Sequence, residues 1–433
     1  MTDTQHDNII LVTYDSVRAD HCSYTGYERE TTPNLDYMAN EGIAFHQAIS
    51  PASRTNPSMS GIMTGEPLVN REKVSDPEIS RDHINRYGTI AEALSEKGYR
   101  TAAFCPNAYA SRHYGFDRGF DHFEDFLFTS DLYQSLFSKH ISDSGVFTAL
   151  RNFRNLIRKE EAFRTWDTYI DDVIGWANSQ DEPFFIWIFA LDTHYPYVTP
   201  RKDREWSNSW KTFYYNYKCN SLINEFDVSL SDTEKQGIVD IYDDALRYGD
   251  KMLGELRNRL SSFDPTYVVH ADHGEAFDEH GFYGHFFPSL YEECTRVPLV
   301  VWNEDTDQET ISEPFSLLQL PNVLRAIADS DLESIGETSP SALSTTYDGR
   351  RDRNLVSYHV GDYKVLTEVQ DDEASTEVYD ISRDPEEESP IEGSEQFTSE
   401  LGNLADSRLA HEDEQIQLKE AVGEVSSNLD EDG

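Results

Sequence analysis

The chain predicts an α/β fold: one large, mostly parallel sheet flanked by helices on both faces, followed by a small C-terminal antiparallel subdomain. Three observations carry that prediction. Short apolar runs alternate with segments whose apolar residues recur at three and four, the pattern of strands joined by helices. The runs are almost wholly apolar, as strands covered on both faces are. From Asn354 the pattern changes to successive strands with short polar turns.

Asn8 to Tyr14 (NIILVTY) reads as the first buried strand. Thr89 to Lys97 is a helix candidate and Thr101 to Phe104 the next strand. Trp166 to Asn178 reads as helix, and Phe184 to Ala190 as a third strand. The longest helical pattern runs from about Asp232 to Leu260, with Ile238, Ile241, Tyr242, Ala245, Leu246, Met252, Leu253, Leu256 and Leu260 on one stripe. Thr266 to His270 and Val297 to Trp302 complete the buried strands. Arg201 to Ser231 is irregular and aromatic-rich, and reads as an insertion near the site. Asn354 to Val360, Tyr363 to Val369 and Ser375 to Ile381 form the antiparallel set. The expected division is 1–340, 341–390 and an acidic, weakly helical tail over 391–433. No internal repeat is seen.

The 433 residues hold 81 Asp+Glu against 36 Lys+Arg, a formal charge of −45. Nucleic-acid binding needs a basic face to displace counterions, so it is not expected. A polybasic patch on anionic lipid is excluded by the same balance. Disorder is not implied, because 38% of the chain is hydrophobic and 12% aromatic. From Asp371 to Gly433 there are 21 acidic and 3 basic residues, yet the remaining 370 still hold 60 and 33. Only 11 of the basic residues are Lys. Acidity spread through the body, with little Lys, is the composition of salt-adapted proteins such as those of halophilic archaea; an acidic tail on an ordinary enzyme is the alternative. Met1 to Asn8 has no Lys or Arg, and Pro183 to Leu191 is too short to span a bilayer. Cys22, Cys105, Cys219 and Cys294 are scattered and imply no disulfide framework. A soluble, cytoplasmic protein in a high-salt cytosol is therefore expected. Nothing in the sequence speaks to oligomeric state.

Four segments carry chemistry. Asp15 directly follows the first strand, where a carboxylate suits a metal or merely caps a turn. In SRTNPSMSGIMTG (Ser53 to Gly65), Pro57 suits the first turn of a helix and Gly65 its end. Thr55 then sits at a helix N-terminus, which favours an anion, or acts as an ordinary N-cap. Ala271-Asp272-His273-Gly274-Glu275 follows another strand and leads to His280 and His285. Three of the chain's 14 His within 13 residues, beside an Asp, form a plausible oxygen-and-nitrogen metal corner. His194 lies at a fourth strand end, in LDTHYPY, where a backbone-satisfied loop histidine is the other reading.

With these segments in view the chain resembles the sulfatases of the alkaline phosphatase superfamily. ILVTYDSVRADHCSYTGYERETTPNLDYMANEGIAFHQA (Ile10 to Ala48) is similar to their opening. TNPSMSGIMTG resembles their nucleophile motif, C/S-x-P-S-R, with its short helix. ADHGEAFDEHGFYGH and LYEECTRVPLVV resemble the second metal motif and the strand beyond it. YKVL and EVYDISRDPEEE resemble the C-terminal subdomain. The resemblance implies an alkaline phosphatase-like catalytic domain over 1–340. It implies one divalent cation, with Ca²⁺, Mn²⁺, Mg²⁺ and Zn²⁺ all open, held by Asp15, Thr55, Asp272 and His273. It implies Thr55 as nucleophile, with His194 and His285 at the ester group. Arg54 and His280 are weaker candidates for the substrate anion.

The departures bear on mechanism. The family's Cys or Ser, the source of formylglycine, is Thr55 here, and oxidising Thr would give a ketone. The motif Arg is Met59, with Arg54 as a compensating cation, and the usual Asp-Asp pair is Asp15-Ser16. Thr at this position resembles the superfamily's phosphodiesterases, phosphoglycerol transferases and phosphonate hydrolase-like members. The expected substrate is a small-molecule, glycan or lipid ester of phosphate or sulfate, with phosphate favoured. The competing expectation is a non-catalytic relative that binds anionic glycans or phosphorylated ligands.

Overall fold

A computed structural model describes residues 7–68, 77–126, 164–181, 183–223, 225, 228–285, 288–332, 335, 340–349, 351–371 and 373–391. The expected acidic tail from 392 onward lies outside them. The large sheet contains β1 (Ile9–Tyr14), β2 (Ile43–Ile49), β3 (Arg100–Phe104), β4 (His122–Glu124), β5 (Phe184–Ala190) and β6 (Thr266–Ala271). A two-stranded hairpin, β7 (Ala276–Phe277) and β8 (Tyr283–Gly284), follows. The large sheet then takes in β9 (Arg296–Trp302), β10 (Glu309–Ile311) and β11 (Phe315–Ser316). The order is β10-β2-β9-β6-β1-β5-β3-β4, with β11 also on β2. Only β9 runs antiparallel to its neighbours, β2 and β6.

β1, β5 and β6 are buried at every residue, which is why they read as continuous apolar runs. Their few polar side chains satisfy one another: the Trp187 indole N–H donates to Thr13 Oγ1 at 3.0 Å, and Thr13 meets His270 Nε2 at 2.9 Å. Helix starts follow local chemistry. Thr89 and Glu92 form a reciprocal cap for the helix Ile90–Glu96, and Ser231 and Glu234 do the same for the helix Asp232–Leu260. The buried face of that long helix includes all nine residues of the expected stripe. No helix among the described residues is long and apolar enough to cross a membrane.

The five expected strands correspond to β1, β3, β5, β6 and β9, within a residue or two. The C-terminal subdomain is a four-stranded antiparallel meander, β12 (Ser341–Asp348), β13 (Arg353–Val360), β14 (Tyr363–Gln370) and β15 (Glu373–Asp380). The sequence pattern showed the last three; β12 is too polar to stand out. One expectation is corrected. Arg201 to Ser231 is not irregular throughout, because Ser209–Leu222 is helical, started by Asn208 accepting from the N–H groups of Trp210 and Lys211.

The meander docks through a small apolar cluster of Leu290, Leu355, Leu366 and Tyr379. Beside it lies a buried ionic group. Lys364 Nζ reaches Glu292 at 3.0 Å and Glu387 at 2.8 Å, and His359 Nε2 meets the same Glu292 oxygen at 2.7 Å. The Glu292 backbone N–H donates to Glu387 at 2.6 Å.

Candidate active site

β1 and β6 pair in parallel with Tyr14 opposite Ala271. The next residue on each, Asp15 and Asp272, therefore leaves the sheet beside the other. His273 follows, and ligand-capable atoms of Asp15, Asp272 and His273 lie within 4.8 Å of one another, all buried. His273 Nδ1 donates to the Gly274 carbonyl at 2.8 Å, so Nε2 faces the cluster with its lone pair. Thr55 Oγ1 stands 3.3 Å from that Nε2.

Thr55 is the first residue of the helix Thr55–Thr64, and no side chain caps this end. Its N-terminal N–H groups and dipole are thus available to an anion. Ser58 Oγ ties the helix to the metal loop by donating to the Asp272 carbonyl at 2.6 Å. Ser16 turns the chain with φ of 59°, a left-handed conformation costly outside glycine. That turn lets its N–H reach Asp272 Oδ1 at 3.1 Å while its hydroxyl donates to Asp15 Oδ1 at 2.7 Å. Asn107 Nδ2 holds the other Asp15 oxygen at 2.6 Å. Gly274 is required by packing: a Cβ there would lie 2.0 Å from the Glu293 carbonyl oxygen.

Burial, then the Asp15 charge, push the Asp272 carboxyl well above its ordinary range, outweighing the Ser16 N–H, the Thr55 hydroxyl and the His273 N–H. Burial and then His285 push the His273 imidazole well down, with smaller parts from His194 and Arg54. Asp272 Oδ2 is buried and makes no hydrogen bond of ordinary geometry. Two buried carboxylates, a neutral imidazole and an orphaned oxygen fit a divalent cation.

The His285 ring lies 4.4 Å from that of His273 and 5.2 Å from that of His194. Burial opposes protonation of His285, but Glu275 outweighs it, at 2.9 Å from Nδ1, and the pKa is raised. Tyr197 donates to the other Glu275 oxygen at 3.1 Å. His194 Nδ1 is fixed by the Tyr195 carbonyl. Arg54, the residue before the helix, is close enough for its charge to act on both His273 and His285. His280 is the exception. Its Nδ1 meets Glu293 at 2.9 Å, Nε2 meets the Glu387 carbonyl at 3.4 Å, and its ring stacks on Tyr291 at 3.5 Å. It joins the loop before β9 to the segment after β15 rather than to the cluster. Sequence reading missed Asn107 and the tasks of Ser16, Tyr197 and Glu275. Glu275 sat inside the quoted motif, and Asn107 follows closely on strand β3.

A large, mostly parallel sheet with carboxylates, imidazoles and a hydroxyl gathered at its strand ends defines an alkaline phosphatase-like α/β protein. The sulfatase family model matches residues 7–329, and the chain belongs to the sulfatase family. A phosphatidylethanolamine transferase of Escherichia coli, Mcr-2, is 22% identical over 307 residues, covering 69% of this chain and 49% of the relative. The chain thus spans about half the length of that curated relative. Two solved structures share the fold. One is BT4656 in complex with its substrate D-glucosamine-2-N,6-O-disulfate, with TM-score 0.64, 18% identity, and 95% and 98% of the two chains covered. The other is the phosphonate monoester hydrolase of Agrobacterium radiobacter, with TM-score 0.63, 15% identity, and 93% and 95% covered.

Proposed function

We propose that this protein is a metal-dependent phosphate-ester hydrolase or phosphoryl transferase that uses Thr55 as covalent nucleophile. The observation that supports it most directly is the Thr55 hydroxyl, at an uncapped helix N-terminus and 3.3 Å from His273 Nε2. A divalent cation held by Asp15, Asp272, His273 and Thr55 would lower the pKa of the hydroxyl and neutralise substrate charge. With one imidazole among the donors and Ser16 in place of a second Asp, Mn²⁺ or Zn²⁺ suits the set better than Ca²⁺. Thr55 Oγ1 attacks phosphorus in line with the leaving alcohol oxygen. The helix N–H groups and Arg54 stabilise the equatorial oxygens. His285, held by Glu275, gives one proton to the departing oxygen, and His194 clamps the ester group. Water or a second alcohol then takes the phosphoryl group from Thr55. A sulfated Thr lacks the collapse route of a sulfated aldehyde hydrate, which is why phosphate is favoured over sulfate.

The test is a panel of aryl phosphate, phosphodiester, phosphonate ester and aryl sulfate, after chelation and with each metal added back, from dilute buffer to molar salt. Chelation should abolish turnover and one metal should restore it. Thr55→Ala should lower kcat by about a thousandfold or more. Wild-type turnover by Thr55→Ala would remove the nucleophile assignment, and hydrolysis of aryl sulfate alone would remove the phosphate preference. The panel also reads the salt-adaptation proposal: activity should rise with salt, where the Debye length shrinks to about 3 Å.

A further inference from the structure

Behind the site, one buried hydroxyl meets three segments at once. Ser50 directly follows β2 and is fully buried. Its Oγ lies 2.5 Å from the Asp272 carbonyl, 2.6 Å from the Ala52 carbonyl and 2.9 Å from Ser58 Oγ. Asp272 belongs to the metal loop, Ala52 to the bend that leads into Thr55, and Ser58 is the fourth residue of the Thr55 helix. A hydroxyl has one proton and two lone pairs, so one small side chain can serve contacts in three directions. The Ser58 hydroxyl closes the group by donating to the same Asp272 carbonyl. Asp272 is also fixed independently of Ser50. Its N–H donates to the Tyr14 carbonyl at 3.1 Å, and the Ser16 N–H holds its Oδ1. What the Ser50 hydroxyl adds is the placement of the Thr55 helix against that loop.

The same bend is held from outside by the C-terminal meander. Ser344 Oγ donates to the Ser50 carbonyl at 2.6 Å, and the Thr345 N–H donates to the Pro51 carbonyl at 2.9 Å. Both residues lie on β12 and both are buried. The Leu290 cluster and the Lys364 group dock the meander through β13, β14 and β15. β12 rests instead on the segment just before Thr55. The polarity that hides β12 in the sequence therefore has a use: it meets backbone carbonyls that an apolar strand would leave without donors. Misplacing a reacting atom by about 1 Å can lower turnover about a hundredfold. A link that sets the Thr55 helix against the metal loop thus bears on rate beyond its part in stability.

We propose that Ser50 is a positioning residue: its hydroxyl sets Thr55 against the cation, and the meander holds Ser50 in place through Ser344. The inference rests on the reading of Thr55 as nucleophile and adds a residue that acts through Ser58 and Asp272 rather than on the substrate. The test compares Ser50→Ala, Ser58→Ala, their double variant and Ser344→Ala with wild type. The readouts are the rise in melting temperature on adding Mn²⁺ or Zn²⁺, whichever restores turnover, and kcat and KM for an aryl phosphate. Ser50→Ala should keep the metal-dependent rise and a KM within about threefold of wild type, while kcat falls about a hundredfold. The double variant should lose little more than the worse single, as residues acting through one contact do. Ser344→Ala, one hydrogen bond further out, should lower kcat about tenfold. If Ser50→Ala does not fold, Ser58→Ala and Ser344→Ala carry the same comparison. Wild-type kcat in Ser50→Ala would overturn the proposal. So would a metal response or KM that worsens in step with kcat, the mark of a general structural role, and so would additive losses in the double variant. Wild-type turnover by Thr55→Ala, or no turnover of any phosphate ester by the wild type, would instead remove the reading of Thr55, and the proposal with it.

Discussion

Two groups of carboxylates are buried in this molecule, and they meet opposite surroundings. Between the two sheets, Glu292 and Glu387 converge on Lys364. Burial works to raise both: Lys364 and His359 hold Glu292 well below the usual carboxylate range, while burial pushes Glu387 up to about 7 against the pull of Lys364. At the strand ends, Asp15 and Asp272 meet an asparagine, a serine and a neutral imidazole. There burial and the neighbouring charge drive Asp272 well up. The first group has its cation supplied by the fold and acts as a fastener. The second has the shape of a site whose cation arrives from solution.

The comparison is broken most easily at Lys364. Lys364→Met leaves two buried glutamates facing each other, and should cost about 3–5 kcal/mol in urea unfolding at neutral pH. Adding Glu292→Gln and Glu387→Gln should return most of it. A loss under about 1 kcal/mol for Lys364→Met would show that the fastener is not ionic. The contrasting change is Asp272→Asn. In chelated protein it should stabilise by about 1–2 kcal/mol, because it removes one of two like charges. The same variant should lose any rise in melting temperature on adding metal. Destabilisation of the metal-free variant would mean that Asp15 and Asp272 are already compensated by the protein.

Asp192 shows a third arrangement, a buried carboxyl with neither cation, and sharpens the contrast through pH. Burial lifts it to about 8, against the donated N–H of Trp166. A raised carboxyl contributes stability below its unfolded pKa of about 3.9, and loses it as pH rises through the folded value. Wild type should therefore lose stability relative to Asp192→Asn between about pH 4 and about pH 8, by at most about 1.4 kcal/mol per pH unit. Parallel stability curves for the two proteins would show that Asp192 is ionised and compensated.

The buried strands and the long helix were legible because period and burial coincide in them. β2 was not, since His46 and Gln47 interrupt an otherwise apolar run at its bulge. The helix Ser209–Leu222 was hidden by aromatics on both faces, which erase the 3.6-residue signal. The site was half legible. Asp15, Asp272 and His273 could each be placed at a strand end, and the resemblance grouped them. Asn107 and Tyr197 act through partners 92 and 78 residues away, and no local pattern encodes such pairings. His280 was grouped with the site only because it falls among three histidines within 13 residues, while its ring turns towards Tyr291.

The register of β1 against β6 has an engineering consequence. Neighbouring strands in a sheet stand about 4.8 Å apart. Asp15 and Asp272 each sit one residue beyond the last paired position, Tyr14 opposite Ala271. The sheet thus works as a ruler, setting two carboxylates at a spacing that one ion can bridge. Any parallel strand pair that ends in step offers the same starting geometry to a designer. The demanding part of such a design is the third ligand and the turn that aims it, which here fall to His273 and to the close approach at Gly274.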